Sequence, residues 1–362
     1  MLTIHPVTGA PQPMTERLTS LSHGAGCACK MPLEQLTQIM QGLVPSTDPR
    51  LLVGPDLGDD AAVWDDGSGD AIVATTDFFT PVVDDPRDWG RVAAANAASD
   101  VFAMGGQPLF ALNVVGWPKT RDLTELGATL AGAAEIAAAG GWMVAGGHTI
   151  DAQEPFFGQA VIGRVTRDRM LTNAAARPGQ TLVLTKAIGT GIVMTAAKRS
   201  SREAVTDGGW LAPAYRAAVD SMTRLNDIAA AAALDAGAAA ATDVTGFGLL
   251  GHLHRLCAAS GVAALIDPDA IPVLPGVEEL QAEGYVPGGT GANRDFVTPY
   301  LRDAPPDDIV TRLADAQTSG GILTAVAPDA ADELVRRLRE TGHAAAVVGN
   351  TTSGDVGTIA FR

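Results

Sequence analysis

Two domains of mixed α+β architecture are what the sequence predicts, on three observations. The chain runs to 362 residues, longer than one hydrophobic core usually serves. Apolar strands and helices recur along it without the strict alternation of a doubly wound sheet. After Arg177-Pro178-Gly179 the pattern starts afresh with the apolar strand Thr181 to Thr185. The expected division is therefore a flexible lead-in over 1–30, an N-terminal domain over 31–176 and a C-terminal α+β domain over 177–362.

In chain order, Met1 to Ser20 carries Pro6, Pro11 and Pro13 with little apolar periodicity and reads as flexible. Pro32 to Leu43 has helical spacing. A glycine-bearing turn over Asp56 to Asp60 leads into a strand at Ala61 to Trp64, and Ala71 to Thr76 reads as a strand ending at Asp77. Trp89 to Met104 is a helix stopped by Gly105-Gly106. Its Asn96, Ser99 and Asp100 form a polar stripe at i, i+3 and i+4 on an alanine-rich cylinder, the pattern of a face turned to a polar cavity. Leu109 to Val115 (strand), Leu123 to Ala139 (helix) and Trp142 to Ala145 (strand) lead to Gly146-Gly147-His148-Thr149, read as a turn, and Gln159 to Val165 is a further strand. In the second half, Arg216 to Ala236, Leu249 to Ser260 and Asp329 to Thr341 read as helices. Ala239 to Val244, Val262 to Ile266, Ala344 to Val348 and Gly357 to Phe361 read as strands.

Composition narrows the function. Lys+Arg 25 against Asp+Glu 41 gives a net charge of −16, which disfavours nucleic acid and anionic membrane surfaces as partners. An acidic ligand would need cations to bridge it to such a chain. Three cysteines, Cys27, Cys29 and Cys257, make no disulfide framework and indicate a reducing compartment. No basic segment followed by an apolar run opens the chain, and the weakly polar window Leu126 to Gly147 contains Glu135, so neither a signal peptide nor a membrane span is expected and the cytoplasm is the default location.

Two of the cysteines sit one residue apart behind Gly24 and Gly26 and beside Lys30. A neighbouring ammonium favours the thiolate, the reactive form of cysteine. Read blandly, the same loop is an incidental surface segment or a weak metal site with His23, one ligand short of a closed zinc shell. Asp60, Asp77, Asp100 and Asp243 each stand at a strand end, at a glycine-bearing turn or on a small-residue surface. Singly they read as caps or turn residues; together they suit magnesium, which takes one or two carboxylates plus phosphate oxygens and water. His148 alone reads as a structural histidine, although the paired glycines before it permit close backbone approach to a ligand. Gly246-Phe247-Gly248-Leu249-Leu250-Gly251 fits a dinucleotide-binding fingerprint, with Asp267 at about the distance of a ribose-binding acid. The alanine run Ala238 to Ala241 and the acidic Asp243 ahead of that turn argue against a nicotinamide site, and no P-loop sequence is present.

Seven segments carry a family resemblance in order over nearly the whole chain from Leu18: Ser22 to Lys30, Gly58 to Val63, Thr75 to Phe79, Asn96 to Gly106, Ala145 to His148, Thr242 to His252, and Gln317-Thr318-Ser319-Gly320-Gly321. The chain resembles the selenophosphate synthetases (selenide, water dikinases), and more broadly the aminoimidazole ribonucleotide synthetase-like proteins, which share the aspartate and glycine motifs but lack the cysteine loop. The resemblance implies a two-domain α+β fold, an N-terminal domain that binds ATP and forms a homodimer, and conversion of selenide, ATP and water to selenophosphate, AMP and phosphate. By position, Cys27 and Lys30 match the catalytic pair. Asp60, Asp77, Asp100 and Asp243 match Mg2+ ligands, and Lys30, Gly58, Asp59, Asp77, Asp100, Gly147, His148 and Thr149 match nucleotide-binding residues. Two positions depart from the pattern: Ala28 for a glycine between the cysteines, which bears on loop mobility, and Ala316 for a proline, which bears on local rigidity. The competing readings are a non-catalytic selenium- or metal-binding thiol protein and an NAD-dependent oxidoreductase.

Overall fold

The computed structural model describes residues 16–22, 24, 26, 30, 31, 35, 39, 48–55 and 58–362. His23, Cys27, Cys29 and most of the expected helix at Pro32 to Leu43 lie outside them.

The first half of the chain contributes β1 (Leu51–Val53), β2 (Ala62–Asp65), β3 (Asp70–Phe79), α1 (Pro86–Ala103), β4 (Gln107–Trp117), α2 (Leu123–Gly140), β5 (Met143–Asp151) and β6 (Phe156–Thr166). The second half contributes β7 (Thr181–Leu184), α3 (Thr190–Arg199), α4 (Arg202–Val205), α5 (Ala212–Thr223), α6 (Asp227–Asp235), β8 (Ala240–Asp243), α7 (Gly248–Ser260) and β9 (Ala263–Ile266). It continues with α8 (Val277–Ala282), α9 (Gly288–Val297), β10 (Leu301–Arg302), α10 (Asp307–Leu313), β11 (Ile322–Val326), α11 (Pro328–Glu340), β12 (Ala346–Thr352) and β13 (Ile359–Phe361). The strands form two sheets, one ordered β1-β2-β3-β6-β4-β5 and the other β10-β13-β9-β12-β7-β11-β8.

Helix α1 joins the two halves. It starts where the Asp85 side chain accepts the Asp88 N–H and Pro86 presets the first turn, and it ends at Gly105, whose φ of 74° favours glycine. Gly90 lets α2 pack directly against it, since a β-carbon there would stand 1.9 Å from the Thr129 carbonyl oxygen. One flank of α1 faces the first sheet, and β8, the edge strand of the second sheet, packs on it as well. One core cluster accordingly mixes Trp89, Val115 and Phe157 with Ile192, Met194 and Met222. Alternation in β3 and β6 turns the odd-numbered residues toward the helices and leaves the even-numbered ones on the uncovered face. Phe78, Leu112, Met143 and Ile150 are 39 to 68% exposed there.

Several expectations change. Strand β3 runs through Asp77 to Phe79, held by unbroken pairing with β6, so Asp77 is internal to a strand. Gly146 to Thr149 are not a turn but the middle of β5, which continues to Asp151 because it pairs with β4 as far as Trp117. The helix expected at Arg216 to Ala236 is two, α5 and α6, separated at Arg224 to Asn226. Part of the lead-in is packed against the second half of the chain. Leu18 is 2% exposed, Arg17 bonds the carbonyls of Ala197 and Ser200 at the end of α3, and Asp84 accepts from both Arg17 and Thr19. Helices α3, α4, α8, α9 and α10 and strands β1, β10 and β11 have no counterpart among the sequence expectations. Among the described residues no helix is long and apolar enough to cross a membrane.

Candidate functional site

The carboxylates gather where α1, the segment entering β2, the second half of β3 and the end of β8 meet. Asp77 accepts at one oxygen, Oδ2, from Lys30 Nζ and from Asn96 Nδ2, both at 2.8 Å. Asp100, one turn along α1 from Asn96, accepts from Thr75 Oγ1 at 2.5 Å. Asp60 accepts from Thr242 Oγ1 at 2.9 Å, so it stands beside Asp243 at the end of β8. Asp59 takes the Asn173 N–H at 2.5 Å, and Gly58 gives its carbonyl to the Asn173 amide. The polar stripe of α1 does face this cluster: Asn96 reaches Asp77, and Ser99 accepts from Asn226 and supports Asp243.

Charge at the site is unbalanced. Burial raises the Asp60 carboxyl well above the ordinary range, and the negative charge of Asp243 raises it further. Asp100 is raised in the same way, by burial first and then by Asp243 and Asp77. Burial also raises Asp243, against the hydrogen bond from Ser99 and the charge of Lys30, and it lifts Asp59 to about 6. The cations nearby are themselves disfavoured by burial: Lys186 falls to about 7 and Arg255 is lowered while facing Asp60 and Asp59. Oδ2 of Asp59, of Asp60 and of Asp243 is buried with no hydrogen-bond partner among the described residues. Unpartnered buried carboxylate oxygens are costly, and hard cations are the ligands that such oxygens suit. Among the described residues no three of His, Cys, Asp and Glu close around one point, so a magnesium ion here would need phosphate or water oxygens to complete its shell.

Gly147, His148 and Thr149 lie apart from the acids, on the exposed edge strand β5. Gly147 is needed for pairing: a β-carbon there would meet the Asn113 carbonyl oxygen at 2.2 Å. Register still links them to the site, because Asp77, Gln159, Asn113 and Gly147 stand in one row across β3, β6, β4 and β5. Three strand spacings put Gly147 about 14 Å from Asp77. Gln159 donates to Asn113 at 3.0 Å, continuing that row with polar groups. Cys27 is outside the described residues; the preceding Gly26 is buried, and the described cysteine Cys257 lies in the core with its thiol pushed up to about 12.

Sequence reasoning missed Lys186, Arg255, Asn226 and Thr242 as neighbours of the acids. Thr242 lies within the Thr242 to His252 segment, one residue before Asp243, so that segment held its signal; Arg255 stands just beyond it, and Lys186 and Asn226 carry none. The fingerprint-like glycines have a packing explanation, since Gly248 has φ 70° and a β-carbon on it would stand 2.5 Å from the Ala314 carbonyl oxygen.

A family model described as AIR synthase related protein, N-terminal domain, matches residues 58–165, and the corresponding C-terminal domain model matches residues 177–361. A selenide, water dikinase of Yersinia pseudotuberculosis is 46% identical over 343 residues, covering 94% of this chain and 95% of the relative. One from Photorhabdus laumondii is 44% identical, with 95% and 97% covered. Among solved structures, thiamine-monophosphate kinase from Stenotrophomonas maltophilia K279a aligns with a TM-score of 0.63 at 19% identity, covering 92% of this chain and 96% of that one. Hydrogenase maturation protein HypE in complex with ATP aligns at 0.60 and 17% identity, covering 96% and 89%. At such identities the structural likeness bears on the fold alone.

Proposed function

Because this chain belongs to the selenide, water dikinase family of AIR synthase-related proteins, we infer that it converts selenide, ATP and water to selenophosphate, AMP and phosphate. The observation that carries the reading is the buried acid cluster with three unpartnered oxygens, adjoining Asp77 and its Lys30 partner. Asp60, Asp77, Asp100 and Asp243 would hold magnesium, which when bound neutralises phosphate charge and polarises the phosphoryl oxygens. Lys30 brings an ammonium to the same place and is suited to holding a phosphate oxygen once nucleotide competes for it. Gly58 and Asp59 border the acids, and Gly147, His148 and Thr149 would meet the far end of a nucleotide laid along the row from Asp77 to β5. Cys27, next to Gly26 and three residues before Lys30, is the group we assign to selenide, its thiolate favoured by the lysine charge. A reduced thiol of this kind suits the cytoplasm.

The experiment is phosphorus NMR of the purified protein with ATP, magnesium and selenide. AMP, phosphate and a phosphorus signal split by selenium are expected; selenium uptake without AMP would instead favour a thiol carrier.

The same reading takes the uncovered face of the first sheet, with Phe78, Leu112, Met143 and Ile150, as the surface on which a second copy packs. Light scattering is expected to give twice the chain mass, and Phe78→Glu is expected to shift it toward one chain. A wild-type protein of single-chain mass at micromolar concentration would rule the dimer out.

A further inference from the structure

The segment Gln317-Thr318-Ser319-Gly320-Gly321 has no part in the chemistry above, yet it is buried throughout. Most of it is explained by packing. The Gln317 side chain accepts from the N–H groups of Gly189 and Thr190 at the start of α3, and a β-carbon on Gly320 would stand 2.0 Å from the Val244 carbonyl oxygen. Ser319 is different. It is 1% exposed and holds a φ of 49°, a left-handed backbone that disfavours a residue with a side chain.

That conformation presents both backbone groups of Ser319 to partners far away in the chain. Its carbonyl accepts from Lys186 Nζ at 3.0 Å, and its N–H donates to Asn96 Oδ1 at 2.8 Å. The second contact fixes more than a distance. The two ends of an asparagine amide have nearly the same shape and are told apart by what they face. A backbone N–H can only donate, so it selects the oxygen of Asn96 and turns Nδ2 toward Asp77, where it donates to Oδ2 at 2.8 Å. The opposite orientation would set the amide oxygen against a carboxylate and two N–H groups against each other. Asn96 and Lys30 thus both sit on Oδ2, and among the described residues no hydrogen bond reaches the other carboxylate oxygen of Asp77. Asn96 is fully buried, so no water replaces a lost partner without cost.

We propose that Asn96 is a positioning residue for Asp77, held in its working orientation by the backbone N–H of Ser319, so that the C-terminal half of the chain sets how a carboxylate of the N-terminal half meets magnesium–nucleotide. The inference rests on the reading of Asp77 as part of that binding site.

The test is calorimetric titration of the full-length protein with a non-hydrolysable ATP analogue in the presence of magnesium. Asn96→Ala is expected to raise Kd about tenfold or more. Asn96→Asp keeps the shape and still accepts from Ser319, but faces Asp77 with a second negative charge. It is expected to weaken binding at least as much, and it carries the test if Asn96→Ala does not fold. Ser319→Gly keeps the N–H and relieves the backbone, so Kd is expected within about twofold of wild type. The double variant Asn96→Ala with Asp77→Asn is expected to bind no more weakly than Asp77→Asn alone, a non-additivity that a generally loosened structure would not produce. Wild-type affinity in Asp77→Asn would sink the underlying reading. A weakened Asp77→Asn beside a wild-type-like Asn96→Ala or Asn96→Asp would overturn this inference alone, as would additive losses in the double variant. A tenfold loss in Ser319→Gly would also overturn it, since the hydroxyl rather than the backbone would then be the acting group.

Discussion

Asp60→Asn is expected to do two opposite things: raise the stability of the metal-free protein and abolish its ATP turnover. The Asp60 carboxyl is buried beside Asp243, one oxygen lacks a donor among the described residues, and both burial and the neighbouring charge raise its pKa. In the unfolded chain an aspartate titrates near the ordinary carboxyl value, so the folded protein binds more protons than the unfolded one at all pH values between the two pKa values. Folding stability from this group therefore falls as pH rises from about 4 through the raised folded value, and at neutral pH the carboxylate is a liability unless a cation sits on it. Asparagine keeps the shape and can still accept from Thr242, while removing the charge. A gain of about 1–2 kcal/mol, or a few degrees of melting temperature, is expected without magnesium. Magnesium with nucleotide should stabilise the wild type, by about 2.7 kcal/mol at a hundredfold excess over Kd, and the variant far less. Turnover should fall on the order of 10³-fold or more, the loss expected when several kcal/mol of charge stabilisation disappears. Asp243→Asn should behave alike. Melting curves with and without magnesium, beside AMP release, check both signs; undiminished magnesium-dependent turnover would reduce these aspartates to turn residues.

Three variants of the cysteine loop are expected to separate cleanly. Cys29 adjoins Lys30 directly, so proximity to charge alone would nominate it, whereas Cys27 follows a glycine that lets the backbone turn and present the sulfur. The motif resemblance implies that the chemistry falls to Cys27, and the expectation follows it. Cys27→Ser should cut selenide-dependent AMP release by about 10²-fold or more, because a hydroxyl at neutral pH is a far weaker nucleophile than a thiolate. Cys29→Ser should keep activity within about threefold of wild type on the same reasoning. Lys30→Ala should fail with both thiols present. Its ammonium is the charged partner of Asp77 at 2.8 Å, and without it an anion would meet that carboxylate directly. AMP release from the three proteins decides the assignment; an active Cys27→Ser beside a dead Cys29→Ser would reverse it.

The family was legible in seven motifs that recur in order along the chain, and the class of each local element was legible where a period was long. Helix α1 was legible because its alanine-rich pattern ends at Gly105-Gly106, and its polar stripe was recognisable as a face turned inward. Local signals do not report pairing, however. Gly146-Gly147 has the composition of a turn, and only the partnership of β5 with β4 makes it strand; Asp77 looked terminal until ten residues of β3 paired with β6. The break between α5 and α6 was hidden because Arg224, Leu225 and Asn226 do not interrupt helical composition, and what holds Asn226 is tertiary, its amide donating to Ser99 and to the Gly320 carbonyl. Four aspartates separated by as many as 183 positions were candidates one at a time. Their conversion into one charged site, with partnerless oxygens and with Lys186 and Arg255 as buried neighbours, was decided when the edge of the second sheet packed on α1. Burial is what gives that cluster its properties: the same carboxylates on a solvated surface would be screened by water, and only the two halves packed together exclude it.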